Sequence, residues 1–173
     1  AGVYYVQEAG SMFVGEVVRQ TIGNRSVVAL DLCASPGGKT THLLSTLSDD
    51  SLLVTNEVIK TRAVVLKENV KKWGCPNVVV TNNDPKQIGE LTHFFDLILV
   101  DAPCSGEGMF RKDEKSISEW SEDNVVLCAE RQRRILADVW ESLKPGGFLI
   151  YSTCTYNEEE NEKNVDWIKQ NLG

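Results

Sequence analysis

Two cysteines occupy matching positions in two separate parts of the sequence. Cys104 lies in "VDAPCSGEGM" (100–109) and Cys154 lies in "IYSTCTYNEE" (150–159), and each follows an apolar run. Polar, turn-forming residues surround both thiols, which is unusual for cysteines that merely fill a core. The pair is therefore a candidate for catalysis by a nucleophilic thiol. The other cysteines are expected in the core, where small thiols are common: Cys33, Cys75 and Cys128.

Acidic residues and a glycine turn follow the other apolar runs. The segment "DLCASPGGKT" (31–40) ends the first run, and its two adjacent glycines allow a tight turn that can approach a ligand. Glu57, Asp84 and Asp101 stand at the ends of three later runs. Any one of these acids could simply cap a helix. Their repetition at successive strand ends favours a shared ligand-binding edge.

The glycine turn is compatible with two alternative classes of ligand. The segment "SPGGKTT" (35–41) resembles the end of a P-loop, but Cys33 stands where that motif requires its first glycine. A nucleoside fits the acids better, because Glu57 can accept hydrogen bonds from both ribose hydroxyls and Asp84 from an adenine amino group. This pattern indicates S-adenosylmethionine, whose sulfonium cation tolerates acids better than a triphosphate does. A P-loop-like nucleotide hydrolase remains the alternative.

Composition limits the class of protein. The chain has 173 residues, the length of one domain, with 42% hydrophobic and 25% charged residues. It has no apolar run of membrane-spanning length and no visible signal peptide. Five cysteines without a Cys-x-x-Cys pair argue against a metal site or disulfide framework and fit a reducing cytoplasm. A net charge of −7 opposes nucleic-acid binding unless a local basic patch or further chain contributes.

Alternating strands and helices must position these residues. Apolar segments with little alternation predict strands that are buried on both faces of a parallel sheet: 26–33, 51–58, 77–84, 94–103 and 146–154. Helical periodicity and stop signals predict the intervening helices: 8–22, 61–74 ending at Gly74, 122–144 and 157–172.

This alternation predicts a doubly wound α/β fold with the strand order 3-2-1-4-5. Strands four and five would then be neighbours, roughly 4.8 Å apart. Cys104 and Cys154 follow these two strands, so their thiols should face one cleft beside the bound ligand.

A thiol beside a methyl donor suits methylation of cytosine at C5. That carbon is a poor nucleophile, but addition of a thiolate to C6 makes it reactive, and elimination of the thiol later restores the ring. Asp101 could hydrogen-bond the N3 edge of the ring and stabilise the charge that forms. Lys39 or nearby N–H groups could lower the pKa of the attacking thiol. These considerations leave open which of the two cysteines attacks.

Four segments resemble the Nop/Sun family of RNA (cytosine-5-) methyltransferases, and within it the bacterial ribosomal RNA branch. They are "YYVQEAGSM" (4–12), "DLCASPGGKTTHL" (31–43), "ILVDAPCSGEGMFRK" (98–112) and "KPGGFLIYSTCTYNEEEN" (144–161). The resemblance covers nearly the whole chain. It implies a Rossmann-like class I methyltransferase fold, S-adenosylmethionine as methyl donor, and RNA, most simply ribosomal RNA or a ribosomal subunit, as the partner.

The resemblance also assigns roles to residues. It implies that Cys154 is the nucleophile and that Cys104 helps to release the product. Asp101 and Lys39, with the roles argued above, complete the predicted catalytic set. It further implies contacts to S-adenosylmethionine from Cys33, Ala34, Ser35, Pro36, Gly37, Gly38, Lys39, Glu57, Asp84 and Asp101. Neither a metal nor a membrane enters this chemistry, and no oligomeric state follows from it. Besides the methyltransferase and the P-loop-like hydrolase, a third interpretation is a non-catalytic RNA-binding module that keeps the fold.

The chain departs from the family pattern at its boundaries. A class I sheet normally ends in an antiparallel hairpin, and family members carry RNA-binding segments outside the catalytic core. We therefore expect residues 1–173 to be the methyltransferase core of a longer chain, with 1–25 as its lead-in segment. Basic residues that could contribute locally to RNA binding are expected to be ordinary solvated surface instead: Arg111, Lys112, Arg131, Arg133 and Arg134.

Overall fold

The computed structural model describes residues 4–173, which form a five-stranded parallel sheet flanked by helices on both faces. The strand order is β3-β2-β1-β4-β5, which confirms the predicted doubly wound arrangement. The strands are β1 (Val28–Asp31), β2 (Leu52–Asn56), β3 (Val78–Thr81), β4 (Phe95–Asp101) and β5 (Leu143–Ser152).

Helices cover the sheet on both sides. They are α1 (Ala9–Thr21), α2 (Gly38–Leu44), α3 (Lys60–Trp73), α4 (Pro85–Gly89), α5 (Glu114–Glu119), α6 (Glu122–Trp140) and α7 (Glu162–Asn171), with a 3₁₀ turn at Glu107–Met109. The pairs α1 with α2 and α6 with α4 and α7 lie in contact. The predicted end of α3 is confirmed, since Gly74 adopts the left-handed conformation with φ 85°.

The central strands are buried on both faces. In β4, Leu97 and Leu99 join the apolar cluster beneath α1 and α2, while Ile98 and Val100 join the cluster beneath α6. All four side chains are completely buried. The uninterrupted apolar run 97–100 of β4 is therefore buried on both faces, as a parallel sheet with helices on both faces requires.

Two predicted boundaries were wrong. The helix predicted over 122–144 ends at Trp140, because Leu143 already pairs with Phe95 and begins β5. Pro145 therefore lies inside β5 rather than after a helix. A proline is tolerated there because β5 is the edge strand and an irregularity in the register falls beside it.

The second error concerns the last helix. Residues 157–161 do not form its first turns, and α7 begins at Glu162. The side chains of Asn157, Glu160 and Asn161 are instead directed into the loops that carry the two cysteines, as described below. The predicted helix over 8–22 is confirmed as α1, whereas residues 1–3 of the lead-in segment lie outside the described residues.

Within residues 4–173, no helix is long and apolar enough to cross a membrane. The strand pairings of this part of the chain are all parallel, so the described residues do not include the antiparallel hairpin that the family resemblance implies.

Candidate active site

The two candidate thiols meet at the carboxyl ends of β4 and β5. These strands pair in register up to Asp101 and Ser152, and the Ala102 N–H donates to the Ser152 carbonyl at 2.8 Å. The chain then turns on both sides, which leaves the Sγ atoms of Cys104 and Cys154 3.0 Å apart. The predicted common cleft for the two thiols is confirmed.

Contact between the thiols gives Cys104 and Cys154 different pKa values. The hydrogen bond from Cys104 lowers the pKa of Cys154 to about 7, although burial and the nearby Asp101 act in the opposite direction. The same bond, together with burial, raises the pKa of Cys104 above its ordinary range. Cys154 is thus the thiol that ionises first, and Cys104 is the donor that stabilises its thiolate.

Lys39 contributes less to this acidity than the sequence suggested. Its Nζ lies 2.8 Å from Asp101 Oδ2, and its attraction is only the last of the influences that lower the Cys154 pKa. The predicted tuning by Lys39 was therefore incomplete, because the neighbouring thiol has the larger effect. Asp101 is held from its other side as well, since Ser152 Oγ donates to Oδ1 at 2.7 Å.

The glycine turn after β1 lines a small cavity. Gly37 precedes α2 with φ 110°, a conformation that side chains rarely adopt, and a Cβ at Gly38 would lie 3.0 Å from Gln7 Oε1. The resulting cavity has a volume of about 160 Å³. Its lining includes most of the predicted cofactor-binding loop together with both ends of the ion pair: Cys33, Ala34, Ser35, Pro36, Gly38, Lys39 and Asp101.

Two polar atoms in this cavity have no protein partner among the described residues. They are Asp31 Oδ1, an acceptor, and Gln7 Nε2, a donor. Asp31 is completely buried, and burial raises its pKa to about 7 in spite of the hydrogen bond from Thr40. A ligand that carries both an ammonium and a carboxylate would satisfy the two atoms. Sequence reasoning missed both residues as ligand contacts, although each lies in a segment that it quoted.

A larger cavity of about 450 Å³ extends from the glycine turn to the thiols. Glu57 and Asp84 line it at one end, and Cys104 and Cys154 at the other. The Glu57 side chain is only 3% exposed, and it accepts from the Ile59 N–H at 3.0 Å.

Asp84 combines the two roles that the sequence left open. It caps α4 by accepting from the Lys86 N–H at 3.0 Å, and it also lines the cavity. Cys33 lies between the small and the large cavity, and burial raises its pKa to about 12. It is therefore a packing thiol of the site wall and not a second nucleophile.

A third cavity of about 500 Å³ opens on the other side of Cys154. Arg111 and Lys112 line it, together with Tyr156, whose side chain is largely exposed. Arg131 and Arg134 line the second cavity. All four basic residues are exposed, in agreement with the predicted solvated surface, and they also border the candidate site. Arg133 differs from them, since its Nε donates to Asn164 Oδ1 at 2.7 Å.

The cavities fit S-adenosylmethionine. The small cavity offers the unpartnered donor and acceptor that suit an amino acid group, and the larger cavity has the buried Glu57 carboxylate beside space for a nucleoside. Between the two, Asp101 and Cys33 line both volumes. Among residues 4–173 no group of His, Cys, Asp or Glu side chains is arranged to hold a metal ion.

A parallel sheet of this order, with a glycine turn after β1 and an acid at the end of β2, defines a class I S-adenosylmethionine-dependent methyltransferase core. Comparison with protein families specifies it further. The model of the 16S rRNA methyltransferase RsmB/F family matches residues 23–172, and the chain belongs to that family.

Similar proteins agree with this assignment. Ribosomal RNA small subunit methyltransferase F of Vibrio vulnificus is 38% identical over 99% of the chain, and that of Pectobacterium atrosepticum is 38% identical over 98%. The chain spans 36% and 35% of their lengths. The crystal structure of NSun6 from Pyrococcus horikoshii with SFG has a TM-score of 0.86 and 32% identity, covering 98% of this chain and 42% of that one.

Proposed function

We propose that the chain is the catalytic core of an enzyme that methylates C5 of cytosine in ribosomal RNA and uses S-adenosylmethionine as donor. The observation that carries the proposal is the pair of thiols in contact at 3.0 Å, at the mouth of two cavities that fit the donor. Membership of the RsmB/F family and the names of its relatives support the same substrate class.

In this proposal Cys154 is the nucleophile. Its pKa of about 7 gives a large thiolate fraction at neutral pH, while that of Cys104 is raised. The thiolate forms a bond to C6 of the cytosine, and the electron pair of the C5–C6 double bond moves into the ring. S-adenosylmethionine, when bound, supplies the electrophilic methyl group for C5.

Cys104 acts at the end of the reaction. Once C5 carries the methyl group, its proton passes to solvent water, which reaches the exposed Cys154. The electron pair of the C5–H bond re-forms the C5–C6 double bond, and the pair of the C6–S bond returns to Cys154 as a thiolate. Cys104 Sγ is 3.0 Å from the leaving sulfur, so it can return a hydrogen bond to the thiolate as it departs. The same contact that favours ionisation of Cys154 thus favours it as a leaving group.

Asp101 is proposed to hold the base. Lys39 and Ser152 both donate to its carboxylate, so it acts as an acceptor of hydrogen bonds. It can therefore accept from the exocyclic amino group of cytosine, and from N3–H when N3 has taken a proton from solvent water. Stabilising this protonated ring lowers the barrier to thiol addition.

The donor contacts are assigned to two regions of the site. Asp31 and Gln7 are proposed to hold the amino acid part of S-adenosylmethionine, because they are the unpartnered acceptor and donor of the small cavity. Glu57 is proposed to hold the ribose hydroxyls, and Asp84 the adenine amino group, both within the larger cavity. SFG, an analogue of S-adenosylmethionine, accompanies the similar NSun6 structure.

Basic side chains at the rim of the site are proposed to meet the RNA backbone. Arg111 and Lys112 border the cavity on one side of Cys154, and Arg131 and Arg134 border the cavity on the other. A phosphate backbone could pass between these pairs while its cytosine enters toward the thiols. Ribosomal RNA as the substrate implies that the enzyme works in the cytoplasm.

The proposal is tested with the full-length enzyme, small-subunit ribosomal RNA and S-adenosylmethionine labelled in its methyl group. Nucleoside analysis should find the label in 5-methylcytosine, and Cys154→Ala should remove it. Label in a nucleoside other than 5-methylcytosine would overturn the proposal. So would the absence of label from the RNA when the enzyme still binds S-adenosylmethionine. A P-loop-like nucleotide hydrolase is disfavoured because Cys33 occupies the position of a P-loop glycine. A module that only binds RNA is disfavoured because RNA binding does not require two thiols in contact.

A further inference from the structure

We infer that Glu160 and Asn161 form a clip that holds the two cysteine turns together and sets the separation of the two thiols. The inference rests on the proposed function of the thiols, and it assigns positioning residues that neither the motif nor the cavities indicate. Both residues lie in the turn before α7, where the sequence had predicted helix.

Glu160 fixes the turn that carries Cys104. Its carboxylate accepts from the Ser105 N–H at 3.0 Å and from Gln132 Nε2 at 2.7 Å. The same Gln132 nitrogen also donates to the Pro103 carbonyl at 3.0 Å. The residues directly before and after Cys104 are therefore both held by this pair of buried side chains.

Asn161 fixes the turn that carries Cys154 in the same manner. Its Oδ1 accepts from Thr153 Oγ1 at 2.7 Å, and its Nδ2 donates to the Thr155 carbonyl at 3.3 Å. Thr153 and Thr155 are the residues on either side of Cys154. Adjacent positions in the chain thus hold the flanks of both cysteines, so a shift of one turn relative to the other requires breaking the clip.

Asn157 joins the two halves of the clip. Its Nδ2 donates to Glu160 Oε1 at 2.9 Å, and its carbonyl accepts from Asn161 Nδ2 at 2.8 Å. A direct hydroxyl contact at 3.1 Å between Ser105 and Thr155 closes the arrangement.

The chemistry of the Glu160 site requires a carboxylate. Glu160 is completely buried, and every group that its side chain contacts by hydrogen bonding is an N–H donor: Ser105 N, Gln132 Nε2 and Asn157 Nδ2. The Gln132 amide cannot rotate by 180° to present its oxygen to a substituted residue 160, because Oε1 already accepts from Tyr151 and Asn164. Glutamine at position 160 has one oxygen, which can face either Ser105 N and Gln132 Nε2 or Asn157 Nδ2. Its amino group then faces a donor in either orientation, so the clip is broken at one of its two ends.

The effect on Cys154 follows from distance. The hydrogen bond from Cys104 is the largest influence that lowers the Cys154 pKa, and it requires the two sulfur atoms to remain in contact. A clip that opens would weaken this bond, so the pKa of Cys154 would rise toward the ordinary thiol value near 8.5. The thiol whose pKa changes belongs to Cys154, and Glu160 does not contact it. The role of Glu160 is therefore to position the thiols.

The test compares Glu160→Gln with Glu159→Gln in the full-length protein. Glu159 is its partly exposed neighbour, and its side chain is paired with Lys163, so it controls for loss of one negative charge. The rate of alkylation of Cys154 by iodoacetamide is measured against pH, with the modified peptide identified by mass spectrometry. Melting temperature and methylation kinetics are recorded for the same samples.

For Glu160→Gln we expect alkylation of Cys154 at pH 7 to slow by about 10-fold, with a pH midpoint more than one unit higher. We also expect kcat for methylation to fall with little change in KM for RNA. Glu159→Gln should match the wild type. If Glu160→Gln does not fold, Asn161→Ser is compared instead, since serine cannot bridge Thr153 and Thr155.

A lower melting temperature with an unchanged alkylation profile would show a purely structural role and overturn the inference. The alkylation experiment needs no RNA. A protein that shows the pH shift but transfers no methyl group would therefore contradict the proposed function and leave the clip in place.

Discussion

The Lys39 ammonium lies 2.8 Å from the Asp101 carboxylate, where all three cavities approach one another. Asp101 lines the small and the large cavity, while Lys39 lines the small cavity and the one beyond Cys154. The ion pair is only partly exposed, at 19% for Lys39 and 33% for Asp101. It therefore links the donor site to the thiols and fixes the carboxylate as an acceptor.

Asp101→Asn tests whether that acceptor stabilises the cytosine ring. Asparagine keeps the size of the side chain and can still accept from Ser152 Oγ, but it cannot offset positive charge on the ring. We expect methyl transfer to slow by about 10²–10³-fold, the usual effect of losing one group that stabilises transition-state charge. Single-turnover kinetics with saturating RNA and donor measure this step directly.

Its matched control is Asp84→Asn, which removes a carboxylate from the same large cavity. Asp84 follows β3, at the opposite edge of the sheet from β5, which Cys154 follows. This control should affect donor affinity more than the chemical step. Equal losses of the single-turnover rate in both variants would contradict a specific role for Asp101.

A second prediction separates the roles of the two thiols. Cys154→Ala should abolish both methylation and any covalent RNA adduct, because it removes the attacking atom. Cys104→Ala should still form the adduct, although more slowly, because the main cause of the lowered Cys154 pKa is gone. Since the later elimination is impaired as well, the adduct should accumulate. Denaturing gel electrophoresis with substrate RNA shows it as a shifted protein band.

The opposite assignment makes the opposite prediction on the same gel. If Cys104 were the nucleophile, a shifted band would appear with Cys154→Ala and none with Cys104→Ala. Cys128→Ala is the control for loss of a thiol, since Cys128 is buried in α6 and lines none of the three cavities.

The strand order and the meeting of the thiols were predictable because they follow from topology. Strands with apolar side chains on both faces must lie inside a parallel sheet, and their carboxyl ends then fall on one edge. Cys104 and Cys154 needed only to follow neighbouring strands to meet there. Periodicity was equally sufficient for α1 and α3, which have clear apolar faces and, for α3, a glycine stop.

The clip and the end of α6 could not be predicted in this way. Acids near the start of a helix usually interact with its dipole. Nothing in "NEEEN" (157–161) distinguishes the buried Glu160 from its partly exposed neighbour Glu159. Only the three-dimensional approach of the Cys104 turn makes that distinction. Likewise, helical periodicity continues past Trp140, and pairing of Leu143 with β4 ends the helix first.

A third prediction concerns the donor. Glu57→Ala should weaken binding of S-adenosylmethionine by about 1.5–3 kcal/mol, the range for a hydrogen bond to a charged group. Glu57 is buried at the end of β2 and lines the large cavity, so a ribose placed there would lose its acceptor. Isothermal titration calorimetry measures the change. Glu68→Ala, an exposed glutamate of α3, is the control and should bind the donor like the wild type.

Unchanged affinity in Glu57→Ala would remove Glu57 from the donor site. Because Glu57 also accepts from the Ile59 N–H and lies 3.5 Å from Arg62, the melting temperature of each variant must be recorded alongside the titration. Glu57→Gln retains an acceptor for Ile59, so a similar loss of affinity in that variant would assign the effect to the ligand.

The last prediction uses the buried Asp31. Burial raises its pKa to about 7 in the folded protein, whereas in the unfolded chain its pKa is near 3.8. Below that lower value the carboxyl is protonated in both states, and its full contribution to stability is present. As pH rises toward 7, only the unfolded chain releases the proton. The free energy of unfolding should therefore fall by up to about 1.4 kcal/mol per pH unit from this group, and stop falling above pH 7.

Asp31→Asn removes this proton release and keeps an acceptor for the Thr40 hydroxyl, which donates to Asp31 Oδ2 at 2.6 Å. The stability of the variant relative to the wild type should thus rise steadily between pH 5 and pH 7. Urea unfolding at several pH values without donor measures this difference, and Asp50→Asn, at an exposed position, should show none of it. A constant difference between Asp31→Asn and the wild type across this range would mean that Asp31 stays ionised in the folded protein. The small cavity would then contain a buried charge, and the amino group of the donor would be its natural counterion.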